Sequence, residues 1–382
     1  MFFKLLKDAL KVKNVRNKIL FTIFIIFVFR VGTHVTVPGI NAESLKQLSD
    51  LPFLNMLNLV SGNAMNNFSI FSMGVSPYIT ASIIVQLLQM DIYPKFVEWG
   101  KQGEVGRRKL NQATRYITLV LAFVQSIGIT ASFNTLSSIS LVKTPNVSTY
   151  LLIGTILTAG SIIVTWLGEQ ITDKGFGNGV SMIIFSGIIA SIPKMFSTIY
   201  EDFFVNVRSG ELTRSYIIVA LLIVVGLAIV FFTTFVQQAE YQIPIQYTKL
   251  VQGAPTSSYL PLKVNPAGVI PVIFASSITT IPSTILPFFS KVTWLSHLQG
   301  LLSYNTPSGM ITYAILIILF SFFYTFVQVN PEKTAENLQK NGSYIPSVRP
   351  GRETEKYMSS LLKRLATIGA VFLAFISLAP IA

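Results

Sequence analysis

Long apolar runs separated by short polar segments make up most of the sequence. A hydrocarbon core about 30 Å thick needs roughly 20 apolar residues per crossing helix. The runs Ile19–Phe29, Tyr150–Leu167 and Tyr216–Phe235 contain no charged residue, which disfavours a soluble protein with a large core. The pattern therefore predicts an all-α polytopic membrane protein, whose fifth span is interrupted by Pro193 and Lys194. We read nine spans, at residues 18–36, 75–93, 115–135, 150–168, 178–200, 215–237, 268–289, 309–329 and 363–382.

One further apolar segment is too short to cross a bilayer. Residues 52–64 have a helix-like apolar pattern, but Ser61, Gly62 and Asn63 interrupt it before the second span begins. The residues alone favour a short helix that lies in the headgroup layer.

The charge distribution predicts the orientation of the chain. Only 12% of the 382 residues are charged, yet the formal net charge is +13. Of the 29 lysines and arginines, 22 lie in the N-terminal arm and in loops after even-numbered spans, 6 lie in the opposite loops, and Arg30 lies inside the first span. Because cytoplasmic loops are enriched in Lys and Arg, the N-terminus is predicted to be cytoplasmic. Membrane topology thus explains most of the net charge, and binding of anionic lipid or ribosomal RNA is a secondary explanation.

Residue types that carry catalysis are sparse. The sequence has no cysteine, and its two histidines, His34 and His297, are far apart along the chain. The acidic residues Asp91, Glu169 and Asp173 lie near span ends, whereas an ion-coupled transporter normally places carboxylates within its spans. We therefore expect no enzymatic activity, no metal site and no cofactor.

The glycine-rich stretch DKGFGNGVS (Asp173–Ser181) joins two predicted spans. Dinucleotide-binding glycine motifs instead follow a strand, so we expect no nucleotide site here. A tight turn is predicted, with Asn178 or Ser181 capping the fifth span.

Several stretches along the chain, taken together, resemble one family. They are FRVGTHVTVPGI (Phe29–Ile40), FSMGVSPYITASIIVQLL (Phe71–Leu88), KQGEVGRRKLNQATRY (Lys101–Tyr116), WLGEQITDKGFGNGVSMIIF (Trp166–Phe185), LPLKVNPAGVIPVIFASSI (Leu260–Ile278), FFYTFVQVNPEKTAENLQKNG (Phe322–Gly342) and YIPSVRPGRETEKY (Tyr344–Tyr357). In order and spacing they resemble SecY-type protein-conducting channels, above all the bacterial housekeeping members of that family.

The resemblance implies a ten-span fold of two pseudo-symmetric, inverted halves. Residues 1–200 would form the N-terminal half with spans one to five, and residues 201–382 the C-terminal half with spans six to nine. Long cytoplasmic loops are expected at residues 238–265 and 330–362. The tenth span is missing, so about nine spans are present and the sequence reads as a truncated chain.

By the same resemblance the short apolar segment, at about residues 52–66, is a plug that closes the outer side of an idle pore. Its small residues would let it pack closely and leave at low cost. The expected plug residues are Phe53, Leu54, Met56, Leu57, Leu59, Val60, Ser61, Gly62, Asn63 and Ala64.

The resemblance also implies a ring of aliphatic side chains at mid-membrane. Its members here are Val75 and Ile79 on the second span, Val180 and Ile184 on the fifth, and Ile273 on the seventh. Residues four apart share one helix face, although such pairs alone are more often ordinary core or lipid-facing residues. A ring of this kind excludes water and ions, yet deforms around an extended chain.

A lateral gate to lipid is implied between spans two and three on one side and seven and eight on the other. Polar groups there would form weak hydrogen bonds, typically ~0.6 kcal/mol each, which suits a seam that must part. The expected gate residues are Thr80, Gln86, Gln125, Ser277, Thr280 and Ile281.

The two cytoplasmic loops match the family's docking loops for the ribosome and the SecA motor ATPase. The expected docking residues are Lys249, Arg349, Pro350, Gly351 and Arg352. Arg349 is the strongest candidate, since arginine makes bidentate bonds to carboxylate or phosphate. The first loop has little basic charge beyond Lys249, which shifts the expectation from the ribosome towards the motor.

The resemblance implies the central pore-forming subunit of a preprotein translocase in the bacterial cytoplasmic membrane. It would conduct unfolded secretory proteins outward and release hydrophobic helices into lipid. The implied partners are the SecE and SecG subunits, SecA, the ribosome, secretory and membrane protein precursors, and membrane lipids. A small-solute secondary transporter is the alternative, and the charge-free spans argue against it.

Overall fold

The computed structural model describes residues 11–41, 61–62, 64–89, 93–136, 142–205, 212–247, 257–285 and 306–379. Its helices are α1 (Lys13–Gly32), α2 (Ser76–Leu88), α3 (Pro94–Lys101), α4 (Gly103–Leu136), α5 (Val147–Lys174), α6 (Gly179–Tyr200), α7 (Leu212–Gln238), α8 (Ile270–Ile285), α9 (Pro307–Gln328), α10 (Pro331–Lys340) and α11 (Arg352–Leu378). Its strands are β1 (Glu240–Tyr247), β2 (Ser257–Lys263) and β3 (Ser343–Tyr344).

Each predicted span overlaps one of these helices. Within the described ranges, six helices are long and apolar enough to cross a membrane by length and composition. Two further helices, α2 and α8, are apolar but shorter. The fifth span is a continuous helix despite its internal Pro193, whose carbonyl accepts a hydrogen bond from the hydroxyl of Ser197 at 3.0 Å. A π-helical turn, Glu201–Val205, follows it.

The chain divides into two compact units. The first comprises Met1–Val205 with Thr284–Val292, and the second comprises Asn206–Ser283 with Thr293–Ala382. In the first unit α5 packs against α1, α4 and α6, and α2 packs against α4. In the second unit α11 packs against α9 and α10.

The turn between α5 and α6 holds three elements of the first unit together. The side chain of Asn178 accepts a hydrogen bond from the amide of Ser181 at 3.2 Å, which confirms the predicted cap. The hydroxyl of Thr172 accepts from the amide of Gly179 at 2.9 Å. The hydroxyl of Thr22 on α1 accepts from the amide of Phe176 at 3.0 Å. The glycine-rich stretch is thus a turn fixed by its own Asn178 and by threonine side chains on α5 and α1.

An ion pair joins α4 and α5 near this turn. Arg115 donates from Nε and Nη2 to the two carboxylate oxygens of Glu169, at 3.0 and 2.6 Å. The side chains are 59% and 23% exposed, so the pair contributes at most about 1 kcal/mol to stability.

The second unit contains a small antiparallel sheet that the sequence analysis did not predict. Its strand order is β2-β1-β3, with Gln242 opposite Pro261 and Gln246 opposite both Ser257 and Tyr344. The two predicted cytoplasmic loops therefore share one sheet, because β1 and β2 come from the first loop and β3 from the second. A signal was present in the sequence, since buried Ile243 and Ile245 alternate with exposed residues at the period of a strand.

The sheet packs on the first turns of α11. The cluster formed there buries apolar residues from β1, β2, the turn after β3 and α11: Ile243, Leu262, Ile345, Met358, Leu362 and Leu365. Removing these side chains from water fixes both loops to one helix.

We predict that Gly179→Ala strongly destabilises the protein. A β-carbon at position 179 would clash with the carbonyl oxygen of Gly168, a backbone atom that cannot move aside alone. Overpacking of this kind costs about 1–3 kcal/mol or more. Gly226→Ala on α7 is the control, since a β-carbon there meets no atom within 4 Å. Thermal unfolding of the purified full-length variants measures the difference, and equal melting temperatures would contradict the prediction.

Candidate functional site

A non-helical segment, residues 64–75, leads into α2 and is held in its turns by hydrogen bonds between its own residues. The carbonyl of Ala64 lies 3.0 Å from both the amide nitrogen of Ser69 and the hydroxyl of Ser72. The hydroxyl of Ser69 accepts from the amide of Phe71 at 3.2 Å. Phe68 has a positive φ of 41°, which turns the chain sharply. These bonds satisfy polar backbone groups that a helix would otherwise pair.

The same segment is fastened to its neighbours. The amide of Ile70 donates to the carbonyl of Val35 at 2.9 Å, and a β-bridge pairs Thr36 with Ser69. On α5, the hydroxyl of Ser161 donates to the carbonyl of Gly74 at 3.1 Å. Gly160 lies directly against the carbonyl of Ile70, where any β-carbon would clash. Residues 64–75 are therefore a fixed anchor.

A second β-bridge pairs Ile40, which precedes the anchor in sequence, with Val142, the residue that begins the next described stretch after α4. It is reinforced by the amide of Lys143, which donates to the carbonyl of Gly39 at 3.1 Å. Most of the predicted plug, up to residue 63, lies in sequence between this bridge and the anchor.

Most of the predicted plug lies outside the described residues, namely Phe53, Leu54, Met56, Leu57, Leu59, Val60 and Asn63. Ser61, Gly62 and Ala64 are described, and all three are buried. Gly62 has a φ of +70°, and a β-carbon there would lie 3.1 Å from the Cα atom of Gly187 on α6 and 3.3 Å from the ring of Phe29 on α1. The end of the predicted plug thus packs tightly between α1 and α6.

Arg30 contacts this end of the plug and was not among the predicted site residues. Its Nη1 donates to the carbonyl of Gly62 at 2.6 Å. The signal available in the sequence was a single arginine inside a span, because such charges are costly and usually functional. Beside this bond the hydroxyl of Ser61, 2% exposed, has no hydrogen-bond partner among the residues that the structure describes.

Four of the five predicted ring residues lie in one apolar cluster of the first unit. Val75 is fully buried at the start of α2, and Ile79, Val180 and Ile184 are partly buried against the same cluster. Its buried members also include Ala64 at the plug end, together with Ile25, Phe29, Phe71, Val164, Leu167, Ile171 and Ile183. Ile273 lies on α8 of the second unit and is partly buried. The ring as a whole remains a prediction.

The predicted gate residues lie on several helices. Thr80 donates to the carbonyl of Ser76 at 3.2 Å, and Gln86 donates to the hydroxyl of Ser82 at 3.2 Å, both within α2. Gln125 on α4 and Ser277 on α8 are buried. The side chains of Thr280 and Ile281 lie outside the described residues. The gate also remains a prediction.

The predicted docking residues form the turn before α11. Arg349, Pro350 and Arg352 are exposed, and Gly351 precedes the helix with a φ of +96°. The carbonyl of Arg349 accepts a hydrogen bond from the buried hydroxyl of Thr354 at 2.9 Å. The backbone of this turn is thus held while the guanidinium groups face outward. Lys249 lies outside the described residues.

Comparison with known proteins identifies the family. The family described as SecY matches residues 69–382. A protein translocase subunit SecY of Streptococcus gordonii is 72% identical over 385 residues, covering 100% of this chain and 88% of that protein. The chain belongs to the SecY family. It is accordingly a multi-pass membrane protein with the SecY-type fold.

Solved structures agree with the SecY fold. One describes how the plug domain of the SecY protein stabilises the closed state of the translocation channel and maintains a membrane seal. It has a TM-score of 0.63 and 15% identity, covering 94% of this chain and 84% of the other. Another is the idle yeast Ssh1 complex bound to the yeast 80S ribosome, with a TM-score of 0.60 and 17% identity over 95% and 84% of the two chains.

We predict that Gly160→Ala loosens the anchor. The added β-carbon would clash with the carbonyl of Ile70 and push residues 64–75 away from α5. Amides of this segment, including Ser69 and Ile70, should then exchange with solvent deuterium at least about tenfold faster, equal to ~1.4 kcal/mol of lost local protection. Hydrogen-exchange mass spectrometry measures this change.

Gly154→Ala on the same helix is the matched control. Its β-carbon meets the side chain of Ile127 at 2.8 Å rather than a backbone atom, so the neighbour can turn away. Exchange in the anchor should stay as in the unaltered protein. Equal exchange in all three proteins would contradict the predicted role of Gly160.

Proposed function

We propose that this protein is the central pore-forming subunit of a preprotein translocase, which conducts unfolded secretory proteins across the cytoplasmic membrane and releases hydrophobic helices into lipid. The observation that carries this function is the 72% identity, over the whole chain, to a protein translocase subunit. The proposal assigns no catalytic residue, and energy would come from the SecA motor or from elongation by the ribosome.

The N-terminus is proposed to be cytoplasmic and the membrane to be the bacterial plasma membrane. The strong bias of lysines and arginines towards one set of loops supports this orientation. With this orientation, the three-stranded sheet and the turn before α11 would lie in the cytoplasm. The anchor and the end of the proposed plug would lie towards the outer side.

The pore would be closed by the plug and the aliphatic ring together. Ala64 and the four ring candidates of the first unit share one apolar cluster, which supports a plug that rests against the ring when the channel is idle. Branched apolar side chains offer no hydrogen bonds, so they would seal against ions without retaining a passing chain. Ile273 is proposed to complete the ring, and the lateral gate is proposed between spans two and three on one side and spans seven and eight on the other.

The proposed partners at the cytoplasmic side are SecA and the ribosome. The exposed Arg349 and Arg352 on a braced turn support a docking role for this surface. The structural neighbour bound to a ribosome supports the second partner. SecE and SecG are proposed as the other subunits of the complex. Secretory and membrane protein precursors are proposed to pass through the pore, and membrane lipids to contact the lateral gate.

A small-solute transporter is not supported. Membership of the SecY family counts against it, because the matching relative is a protein translocase subunit.

We predict that a translocating precursor contacts Ile273. The 382 residues of the sequence contain no cysteine, so Ile273→Cys introduces the only thiol within them. With SecE, SecG, SecA and ATP, a precursor carrying one cysteine and stalled in transit should form a disulfide at this position. Leu222→Cys on the exposed surface of α7 is the control and should not react.

Either of two results would count against this prediction. A stalled precursor that reacts equally at both positions, or at neither, would remove Ile273 from the ring. Failure of the unaltered protein to move any precursor would contradict the proposed function itself.

We predict that Arg349→Glu lowers SecA-dependent translocation at least about tenfold, since it reverses a charge that would bind carboxylate or phosphate. The fold of the turn should persist, because Thr354 bonds the backbone carbonyl and not the guanidinium. Lys340→Glu is the control, as it reverses an exposed charge on neighbouring α10. Precursor uptake into proteoliposomes measures the effect, and equal rates for both variants would exclude a special role for Arg349.

A further inference from the structure

The first turns of α8 are held to two other helices of the second unit, α9 and α11. These turns carry Ile273, the ring candidate that lies outside the first unit. A turn at residues 265–268 fixes the start of the helix, and Phe274 fixes its rotation. Neither the turn nor Phe274 was among the predicted site residues.

The turn before α8 is closed by two opposed hydrogen bonds. The amide of Gly268 donates to the backbone carbonyl of Asn265 at 3.3 Å. In the other direction, Nδ2 of Asn265 donates to the carbonyl of Gly268 at 3.1 Å. Proline is the second residue of this turn and a glycine with a φ of +62° is the fourth, and both preferences are typical of β-turns.

The closed turn rests on α11. Asn265 is 2% exposed. A β-carbon on Gly369 would lie 3.3 Å from Oδ1 of Asn265 and 3.4 Å from the carbonyl oxygen of Val264. Glycine at position 369 therefore lets the backbone before α8 lie close to α11. Because the turn is closed by its own bonds and lies against a helix, it fixes the position of the first residue of α8.

Phe274 fixes the rotation of α8 about its axis. Its buried ring meets the rings of Phe320 and Tyr324 on α9, with both centroid distances at 5.8 Å and both interplanar angles at 82°. Phe320 and Tyr324 are four residues apart and so lie on one face of α9. Aromatic pairs prefer this edge-to-face geometry, so rotation of α8 would break favourable contacts. We call these three residues the aromatic clamp.

Ile273 directly precedes Phe274 on the same helix. Consecutive side chains are set about 100° apart around a helix, so a rotation that moves one of them moves the other by the same angle. Pro271, Phe274 and Ala275 are buried on one face of α8, whereas Ile273 lies on another face and is only partly buried. The packing of Phe274 therefore sets the direction in which Ile273 points.

We propose that Phe274 is the positioning residue for Ile273. Held against the two rings of α9, it fixes the rotation of α8 so that Ile273 faces the passing chain. This inference rests on the proposed function, since it concerns the ring candidate on α8. The closed turn holds the start of the helix, and the aromatic clamp holds its rotation. The role requires the ring of Tyr324 and not its hydroxyl.

Thiol scanning around α8 tests this role. The 382 residues contain no cysteine, so Ile270→Cys, Ile273→Cys or Ser276→Cys supplies the only thiol within them. Positions 270 and 276 lie on either side of Ile273 around the helix. Each variant is reconstituted with SecE and SecG, and a precursor with one cysteine is stalled in transit with SecA and ATP. The disulfide yield should be highest at position 273.

Adding Phe274→Leu removes the clamped ring and frees the rotation of α8. The yield at 273, divided by the summed yield at 270 and 276, should fall about tenfold, equal to ~1.4 kcal/mol. This ratio is the deciding measurement, because a smaller amount of folded protein lowers all three yields together and leaves the ratio unchanged.

Three further variants serve as comparisons. Tyr324→Phe keeps the ring and should leave the ratio unchanged. Tyr324→Leu removes one of the two partner rings and should lower the ratio by a smaller factor than Phe274→Leu does. Phe375→Leu makes the same change as Phe274→Leu at an exposed position of α11 and should have no effect.

The remaining outcomes overturn the proposed role of Phe274. An unchanged ratio in Phe274→Leu would make it a residue of general stability, and an equal fall in Phe375→Leu would remove any special role of the aromatic clamp. Should Phe274→Leu fail to assemble, Tyr324→Leu decides, since it leaves Phe274 in place. Equal yields at all three positions of the otherwise unaltered protein would remove Ile273 from the ring, and the positioning role with it. Failure of the unaltered protein to move any precursor would contradict the proposed function separately.

Discussion

Buried backbone outside a helix must find its hydrogen-bond partners within the protein. In the first unit this constraint acts on residues 64–75, which enter α2 without being helical. Serine hydroxyls, the carbonyl of Val35 and the surface of α5 supply the partners. Gly160 makes the arrangement possible, because any side chain there would separate α5 from the carbonyl of Ile70. The hydrogen bonds of this segment thereby position Ala64, at the end of the predicted plug, and Val75, a ring candidate at the start of α2.

The helices and the turn between α5 and α6 could be predicted because their signals are local. A charge-free run of about 20 residues specifies a span whatever surrounds it, and an asparagine before such a run specifies a cap. The contact between Arg30 and Gly62 could not be predicted, since it depends on the close approach of α1, α6 and a loop that are distant in sequence. The single arginine within a span predicted a polar partner but did not indicate which residue supplies it.

The three-stranded sheet illustrates a different limit of sequence reasoning. Its strands are short, and their alternation is weak beside the apolar spans that dominate the pattern. Pairing between β1 and β3 joins two loops separated by the whole of α8 and α9. One consequence is that the turn carrying Arg349 is supported by residues of both loops, through the core that includes Ile243, Leu262 and Ile345.

The bridges at Ile40 and Ser69 also set a limit on distance. The chain between Ile40 and Ala64 is fastened to the same unit at both ends, so it is a closed loop and not a free arm. About a dozen extended residues span roughly 40 Å, so no residue of this stretch can lie further than that from the nearer fastened end. Two pairs of backbone hydrogen bonds in the first unit thus bound the volume that the whole intervening sequence can occupy.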